Sequence, residues 1–256
     1  MTRTLSYPAT RIFLECAKKY EYIYLQKRPV PMTHSLFLNG TVHVALASFF
    51  QSRIDGQRAT ARDCEASFAE AFRSQVFLRR VSSARGLASG NEPMDLRDEG
   101  ITLLRAYFRW IEKTGLDPIF LDRELHKAMD GGMELSGRID AMDSSGIAID
   151  WKVLQEPWDE DRIQSDLQPL FYALLLGQPI EFHYHFLIRR PTPHIRWQRR
   201  TVSQKAMDWL TQEFLPPVSK ATQCGIYHYA DPASRACSAE NCEYWTLCKG
   251  GELRSI

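Results

Sequence analysis

Residues 137 to 152 constrain the fold more than any other stretch of the chain, and their sequence is Gly-Arg-Ile-Asp-Ala-Met-Asp-Ser-Ser-Gly-Ile-Ala-Ile-Asp-Trp-Lys. Residues 133 to 142 and 147 to 153 are rich in apolar side chains, in alternating or continuous patterns that predict two β-strands. The segment between them, Asp143-Ser-Ser-Gly146, has the composition of a turn. The sequence therefore predicts a β-hairpin around which the other elements are arranged.

Two acidic residues and a lysine lie on one face of this predicted hairpin. Asp150 and Lys152 are two positions apart, so their side chains point to the same side of the strand. A register that sets Asp140 opposite Asp150 brings the two carboxylates within a few ångströms. Because such carboxylates repel each other, a divalent cation bound by their oxygens resolves the conflict. Lys152 beside it can orient a water or stabilise charge that develops on a phosphate.

A plainer interpretation has to be set beside this metal site. An Asp-x-Lys pattern is common, and acidic and basic side chains on a strand usually face solvent. The apolar neighbours Ile147, Ile149, Trp151 and Val153 favour the metal site. They are typical of a central strand, where a charged residue needs a specific reason to be present.

The composition of the whole chain is that of an ordinary globular protein, with 256 residues, 44% hydrophobic and 25% charged. A formal net charge of +1 predicts no polyanionic partner by itself, although arginines cluster at residues 189 to 190 and 196 to 200. No apolar run of 18 residues and no signal peptide are found in the sequence, so we expect an intracellular protein without a membrane span. In such a compartment the six cysteines are expected to be thiols or metal ligands.

Three cysteines lie within twelve residues near the end of the chain: Cys237, Cys242 and Cys248. This density in a polar segment is typical of a metal clip, and both zinc and a [4Fe–4S] cluster accept four thiolates. From the residues alone, the fourth ligand is Cys16, Cys224 or a histidine such as His228. The alternative is three unrelated thiols.

Two predicted helices carry further candidate residues. Residues 6 to 27 form an amphipathic helix with Cys16 on its apolar stripe, where a buried structural thiol is the alternative. A second helix within residues 36 to 50 carries His43, which by itself is best interpreted as a buried, hydrogen-bonded histidine. The remaining predicted elements are helices at 58 to 81, 96 to 114 and 203 to 225, strands at 119 to 128, 181 to 190 and 195 to 202, and a mobile loop at 82 to 93.

A helix predicted over residues 163 to 176 follows the hairpin. Gln168 and Tyr172 are four residues apart on it, so they share a face if the helix is continuous there. Pro169 either kinks this helix or marks its first turn. The alternative for the Gln168 and Tyr172 pair is ordinary packing at the edge of the core.

Taken together and in this order, the motifs resemble the RecB-like branch of the PD-(D/E)XK nucleases. More narrowly, they are similar to its iron–sulfur members, the AddB nuclease domain and the CRISPR-associated exonucleases of Cas family four. The resemblance covers nearly the whole chain. It rests on Leu5-Ser6 followed by Cys16, Gly40-Thr-Val-His43, Gly137-Arg-Ile-Asp140, Ile149-Asp150-Trp-Lys152, Gln168-x-x-x-Tyr172 and the terminal cysteines.

The resemblance implies a restriction-endonuclease-like α/β fold, with a mixed central sheet flanked by helices. It implies a single nuclease domain over residues 1 to 256, whose cysteine-rich tail, residues 224 to 256, packs with the N-terminal helix. The expected activity is a metal-dependent DNA nuclease, an exonuclease on DNA ends or single strands. Its pathway is recombination, repair, phage DNA processing or CRISPR adaptation, in a bacterium, archaeon or phage, and proteins of those pathways are possible partners.

The resemblance also assigns roles to residues. His43, Asp140, Asp150 and the Trp151 carbonyl are expected to hold Mg²⁺ or Mn²⁺, and Lys152 to position the attacking water. Gln168 and Tyr172 are expected to hold the DNA backbone or to steady Lys152. Four cysteines are expected to bind a [4Fe–4S] cluster, with Zn²⁺ as the alternative: Cys16, Cys237, Cys242 and Cys248. The competing function is a DNA-end-binding accessory protein that keeps the cluster and does not cleave.

Overall fold

A computed structural model of the chain describes residues 3–30, 33–82, 93–116 and 118–248. Residues 83–92, nearly all of the loop predicted from 82 to 93, lie outside these ranges. The strands are β1 (Arg3–Ser6), β2 (Pro118–Met129), β3 (Met133–Asp143), β4 (Ala148–Leu154), β5 (Ile180–Ile188) and β6 (His194–Val202). The helices are α1 (Tyr7–Glu15), α2 (Ala17–Tyr20), α3 (His34–Ile54), α4 (Ala61–Ser82), α5 (Pro93–Thr114), α6 (Glu160–Ser165), α7 (Gln168–Leu176), α8 (Gln204–Trp209) and α9 (Leu215–Gln223).

The described strands form one mixed sheet of six strands. Their order is β1-β3-β4-β5-β6, and β2 pairs with β3 in addition. β1 runs parallel to β3, and β4 runs parallel to β5, whereas the pairs β3–β4 and β5–β6 are antiparallel. The predicted fold class, a mixed sheet flanked by helices, is confirmed.

The chain divides into two compact units. The first contains residues 1–31, 126–137 and 204–256, and the second contains residues 32–125 and 138–203. The expectation of one nuclease domain over the full length stays a prediction.

The core of the second unit lies between β4 and the helices α3, α4 and α5. Trp151 of β4 is fully buried there, stacked on Phe50 of α3 with ring centroids 6.0 Å apart. Phe68 of α4 and Tyr107 of α5 belong to the same apolar cluster. Because both β4 and this side of α3 are lined by apolar residues, the strand that carries Asp150 is held firmly between its neighbours.

A smaller apolar cluster belongs to the first unit. Phe13 of α1, Tyr20 of α2 and Val218 of α9 pack together, and the rings of Phe13 and Tyr20 meet edge to face at 5.4 Å. The C-terminal segment is tied to this cluster region, because Lys18 donates its backbone N–H to the carbonyl of His228 at 2.9 Å.

The helix predicted over residues 6 to 27 is interrupted, so that prediction was wrong in its continuity. Cys16 has an extended backbone, with φ −161° and ψ 105°, and separates α1 from α2. Its Sγ accepts a hydrogen bond from the backbone N–H of Lys19 at 3.4 Å, which caps α2. After α2 the chain continues as a π-helical turn, Glu21–Leu25.

The helix predicted over residues 163 to 176 is also divided, into α6 and α7. The helix α7 begins at Gln168, so Pro169 lies in its first turn, the second of the two alternatives. It ends at Leu176, and the capping residue Gly177 has a φ of 77°, the left-handed conformation that favours glycine. Among the described residues, none of the helices has the length and apolar character needed to cross a membrane.

Candidate active site

The site lies where the strands β3 and β4 part. Their paired residues are Ala141 with Ile149 and Met142 with Ala148, and this register continued by one residue sets Asp140 opposite Asp150. Beyond that point, no described residue of β3 pairs with β4 along this edge. The N–H and carbonyl groups of its later residues therefore need other partners.

Three side chains take over the hydrogen bonds along this open edge of β4. Asp140 accepts the backbone N–H of Trp151 at 3.0 Å, and Asn39 Oδ1 accepts the backbone N–H of Val153 at 3.1 Å. The Nε2 of His43 donates to the Trp151 carbonyl at 2.7 Å. The spacing is matched, since one helical turn from Asn39 to His43 rises about 6 Å, close to two residues of a strand. The helix α3 thus replaces a missing strand at the site.

A buried network surrounds the carboxylate of Asp150, which is only 3% exposed. Lys152 Nζ lies 2.6 Å from Asp150 Oδ2 and donates to Gln168 Oε1 at 2.9 Å. Gln168 in turn donates through Nε2 to Asp150 Oδ1 at 2.5 Å. This exchange fixes the amide orientation, because Gln168 faces the ammonium with its oxygen and the carboxylate with its nitrogen.

Tyr172 extends the network by one hydrogen bond. Gln168 Nε2 also donates to the Tyr172 hydroxyl at 3.0 Å, and that hydroxyl donates to the backbone carbonyl of Arg138 at 2.6 Å. Both side chains are buried, at 5% and 6% exposure. Gln168 therefore contacts Lys152 directly, and Tyr172 contacts it only through Gln168.

The acids have different electrostatic environments. Burial raises the pKa of Asp150 to about 6, and the neighbouring Asp140 adds to the rise although Lys152 opposes it. Burial also works against ionisation of Asp140, but His43 and Lys152 outweigh it, so the pKa of Asp140 is lowered. Burial disfavours the charged form of His43. Asp140 outweighs this effect and raises the pKa of His43 above its usual value, since Asp140 Oδ2 lies 3.4 Å from His43 Nδ1.

The chemistry of this donor set fits a hard or intermediate divalent cation. It offers the buried carboxylate of Asp150, the partly exposed carboxylate of Asp140, a backbone carbonyl and an imidazole, which suit Mg²⁺ or Mn²⁺. The Oδ2 of Asp150 is buried without a hydrogen-bond donor of good geometry, despite its close ion pair with Lys152. Within the described ranges, however, no group of three or more His, Cys, Asp or Glu side chains forms a ready arrangement for a metal ion. His43 and the Trp151 carbonyl bind each other instead.

Four cysteines line one small pocket in the first unit: Cys16, Cys237, Cys242 and Cys248. The other two candidates for the fourth ligand, Cys224 and His228, are not among its lining residues. Cys224 is exposed and donates through Sγ to the Ala221 carbonyl at 2.9 Å. Burial raises the pKa of the Cys242 thiol. Four thiol groups are the ligand chemistry of a tetrahedral zinc ion or an iron–sulfur cluster, although these described side chains do not stand in a ready arrangement for a metal ion.

The terminal segment is ordered against the N-terminal helices by polar and aromatic contacts. The Tyr244 hydroxyl contacts the carbonyls of Arg28 and Pro29 at 3.3 and 3.1 Å, and its ring lies 5.4 Å from that of Tyr22. These contacts hold the loop of residues 237 to 248 against residues 22 to 29.

Several residues of the site were missed in the sequence. Asn39 gave no signal except its place beside Gly40 in a motif. Tyr107 lies behind the site, where its hydroxyl accepts from Trp151 Nε1 at 2.8 Å and contacts His185 Nδ1 at 3.0 Å. A buried tyrosine on an apolar helix face cannot be told from a packing residue by periodicity.

Comparison with known proteins places these features in context. The family model of the PD-(D/E)XK nuclease superfamily matches residues 4–249. No curated protein matches the chain. Among solved structures, a "putative exonuclease" from Eubacterium rectale is similar with a TM-score of 0.58 at 12% identity, over 91% of this chain and 86% of that one. The structure of SSO0001 has a TM-score of 0.44 at 10% identity, over 97% and 86% of the two chains.

Proposed function

Because the chain belongs to the PD-(D/E)XK nuclease superfamily, we propose that it is a metal-dependent deoxyribonuclease that degrades DNA from ends or along single strands. The observation that carries the proposal is the convergence of Asp140, Asp150 and Lys152 at the gap between β3 and β4. Recombination, repair, phage DNA processing and CRISPR adaptation all require such an activity. Cleavage in one of these pathways is the function that we assign.

The residues that would hold Mg²⁺ or Mn²⁺ are His43, Asp140 and Asp150, with the Trp151 carbonyl. When bound, the cation would lower the pKa of a coordinated water and offset negative charge on the scissile phosphate. Asp140 and Asp150 supply negative charge at the proposed cation site. The apolar core on the other side of β4 excludes bulk water from that side of the site.

We assign to Lys152 the role of positioning the attacking water. An ammonium has three N–H groups. Gln168 accepts one of them and Asp150 forms a close ion pair with the ammonium, so a further N–H is available for a water or a phosphate oxygen. Gln168 and Tyr172 hold the ammonium at this place, and hydrolysis then needs no covalent enzyme intermediate.

Cleavage of a labelled DNA strand in the presence of Mn²⁺ tests the proposal. We expect Asp150→Asn to abolish cleavage and to retain most DNA binding, because it removes a cation ligand rather than packing volume. We expect Lys152→Ala to abolish cleavage as well. The exposed Lys220 provides a charge-matched control, and Lys220→Ala should cleave like the wild type. Cleavage by Asp150→Asn near the wild-type rate would remove this residue from the mechanism.

The competing function, a DNA-end-binding protein that does not cleave, has its own outcome in the same experiment. It predicts DNA binding by the wild type without cleavage in Mg²⁺ or Mn²⁺. The presence of both acids together with Lys152 disfavours it, since binding alone has no need for two neighbouring carboxylates that repel DNA phosphates.

We also propose that Cys16, Cys237, Cys242 and Cys248 hold a [4Fe–4S] cluster, with Zn²⁺ as the alternative. Support comes from their position around one pocket, although they are separated by up to 232 positions in the sequence, from 16 to 248. A centre that joins such distant residues closes a long loop and stabilises the fold.

A further inference from the structure

Trp158 lies beside the candidate active site and takes no part in the network described above. Its indole ring is half-buried and packs on Tyr184 and Phe186 of β5, with centroid distances of 5.4 and 5.9 Å. Both of those residues are fully buried. The position of the indole is therefore fixed by its packing on these two core residues.

Two cations lie over the indole ring. Lys152 Nζ is 5.6 Å from the ring centroid, and the guanidinium carbon of Arg162 is 4.2 Å from it. Arg162 is exposed, and within the part of the chain that the structure describes its guanidinium forms no ion pair. Trp158 is thus near both the ammonium assigned to position the attacking water and a planar cation that is open to solvent.

The surroundings of Arg162 decide which part of a DNA strand it can recognise. Asp159, Glu160 and Asp161 precede it, so negative charge surrounds the start of α6. These carboxylates repel phosphate groups. A nucleobase is neutral and stacks well on a guanidinium plane or an indole face, so a base is the favoured ligand.

We propose that Trp158 and Arg162 form a stacking site for one nucleobase next to the scissile phosphate, an inference that rests on the nuclease function proposed above. Stacked bases are about 3.4 Å apart along a strand, so a ring 5.6 Å from Lys152 Nζ lies one or two nucleotides from the cleaved bond. A base in a duplex is paired and stacked on its neighbours. The site therefore selects single strands or frayed ends over intact duplex.

The simpler alternative is that Arg162 and Trp158 only stabilise α6 through their cation–π contact. This alternative makes a different prediction for DNA, since a purely structural pair does not respond to the removal of a base from the substrate. The test consequently changes the protein and the DNA in the same cycle.

The experiment measures binding of a fluorescent single-stranded oligothymidylate by anisotropy in EDTA, with one abasic nucleotide moved along the strand. For the wild type, we expect one abasic position to weaken binding about 5- to 150-fold. Trp158→Ala should weaken binding of the intact strand by a similar factor and should be insensitive to that abasic position. The losses of binding caused by the abasic position and by Trp158→Ala should not multiply when both changes are present, because the two changes remove the two partners of one contact.

Three further variants keep the result unambiguous. Trp158→Phe retains an aromatic face and should restore most of the binding, which separates stacking from folding. Arg162→Ala changes only an exposed side chain and should also reduce the abasic effect. It therefore tests the stacking site even if Trp158→Ala does not fold. Arg53 is an exposed arginine over Phe49, at 5.9 Å, so Arg53→Ala removes the same charge elsewhere and should leave the abasic profile unchanged.

The outcomes separate this inference from the proposed function. Tight binding of single strands with a flat abasic profile would overturn the stacking site and leave the nuclease function standing. No binding of any DNA, together with no cleavage in Mn²⁺, would overturn both.

Discussion

Trp151 donates its backbone N–H to a carboxylate oxygen of Asp140 at 3.0 Å, at the point where β3 and β4 part. Asp140 therefore has two tasks, since the same carboxylate is a proposed cation ligand. The site and the end of the hairpin are stabilised by one side chain. Variants at this position can separate the two tasks.

We predict that Asp140→Asn and Asp140→Ala both abolish cleavage but differ in stability. Asparagine retains an oxygen that can accept the Trp151 N–H, whereas alanine leaves that buried donor without a partner. The alanine variant should lose about 1–3 kcal/mol more free energy of unfolding. Urea denaturation of both proteins measures the difference, and equal stability would show that the hydrogen bond contributes little.

A second prediction concerns Gln168, which joins Lys152 to Asp150. Gln168→Glu keeps an acceptor for the ammonium but replaces the donor to Asp150 by another carboxylate. We expect turnover to fall about 10- to 100-fold, as is common when a group that orients site residues is changed. The exposed Gln164, which donates to Glu160 at 2.7 Å, provides the control. Gln164→Glu should leave turnover unchanged.

The cysteine assignment predicts an optical result. The purified protein should be brown when isolated without oxygen, and Cys16→Ala should bleach it and lower its melting temperature. Cys224→Ala is the matched control and should do neither, because Cys224 is exposed and outside the pocket. A colourless wild type with one bound zinc ion would support the zinc alternative, and metal-free protein of normal stability would contradict both.

The sequence was most informative where one residue pattern determines a local structure. Side chains alternate along a strand, so Asp150 and Lys152 could be placed on one face, and the turn at residues 143 to 146 set the hairpin in which Asp140 faces Asp150. The helix start at Gln168 was less certain, because Pro169 is compatible with either a kink or a first turn. The structure places the proline in the first turn.

Features that depend on tertiary contacts were beyond the reach of sequence patterns. The break at Cys16 has no glycine or proline to mark it, and a thiol is an unusual helix cap. Asn39 matters only because β3 leaves the edge of β4 open, which no pattern in α3 reveals. The residues next to Trp158 in the sequence do not distinguish it from any other aromatic residue in a loop. Only its packing on Tyr184 of β5 shows that it lies beside the site.

The buried histidine His185 predicts how stability changes with pH. Burial, with a smaller effect from His183, lowers the pKa of His185 to about 3, whereas it is about 6.5 in the unfolded chain. Between these values the unfolded state binds a proton that the folded state does not, so stability falls as the pH falls. The loss from this residue is about 2 kcal/mol between pH 7 and pH 5.

Chemical denaturation at the two pH values measures this loss against His185→Phe, in which the titrating group is absent. The free energy of unfolding changes with pH in both proteins, and the difference between the two changes is the contribution of His185 without that of the site carboxylates. His183 is a useful second control, since His183→Gln should retain most of the wild-type slope. Equal slopes for wild type and His185→Phe would contradict the burial of a neutral imidazole.

The last prediction contrasts two glycines that lie inside long helices. A Cβ at Gly100 of α5 would collide with the buried ring of Phe68, whereas a Cβ at Gly40 of α3 would meet no atom within 4 Å. Packing therefore explains Gly100 and does not explain Gly40. Gly40 lies one turn before His43, so helical spacing puts it on the side of α3 near the candidate site.

We expect Gly100→Ala to destabilise the protein by about 1–3 kcal/mol through overpacking. Gly40→Ala should instead stabilise it by about 0.5–1 kcal/mol, because alanine favours the helix and fits without strain. We also expect the stabilised Gly40→Ala protein to cleave DNA more slowly, since the added methyl group would fill open space that we expect a bound strand to occupy. Thermal melting and cleavage rates measured on the same preparations test both parts, and a stabilised variant of wild-type activity would show that the substrate does not approach α3 at this residue.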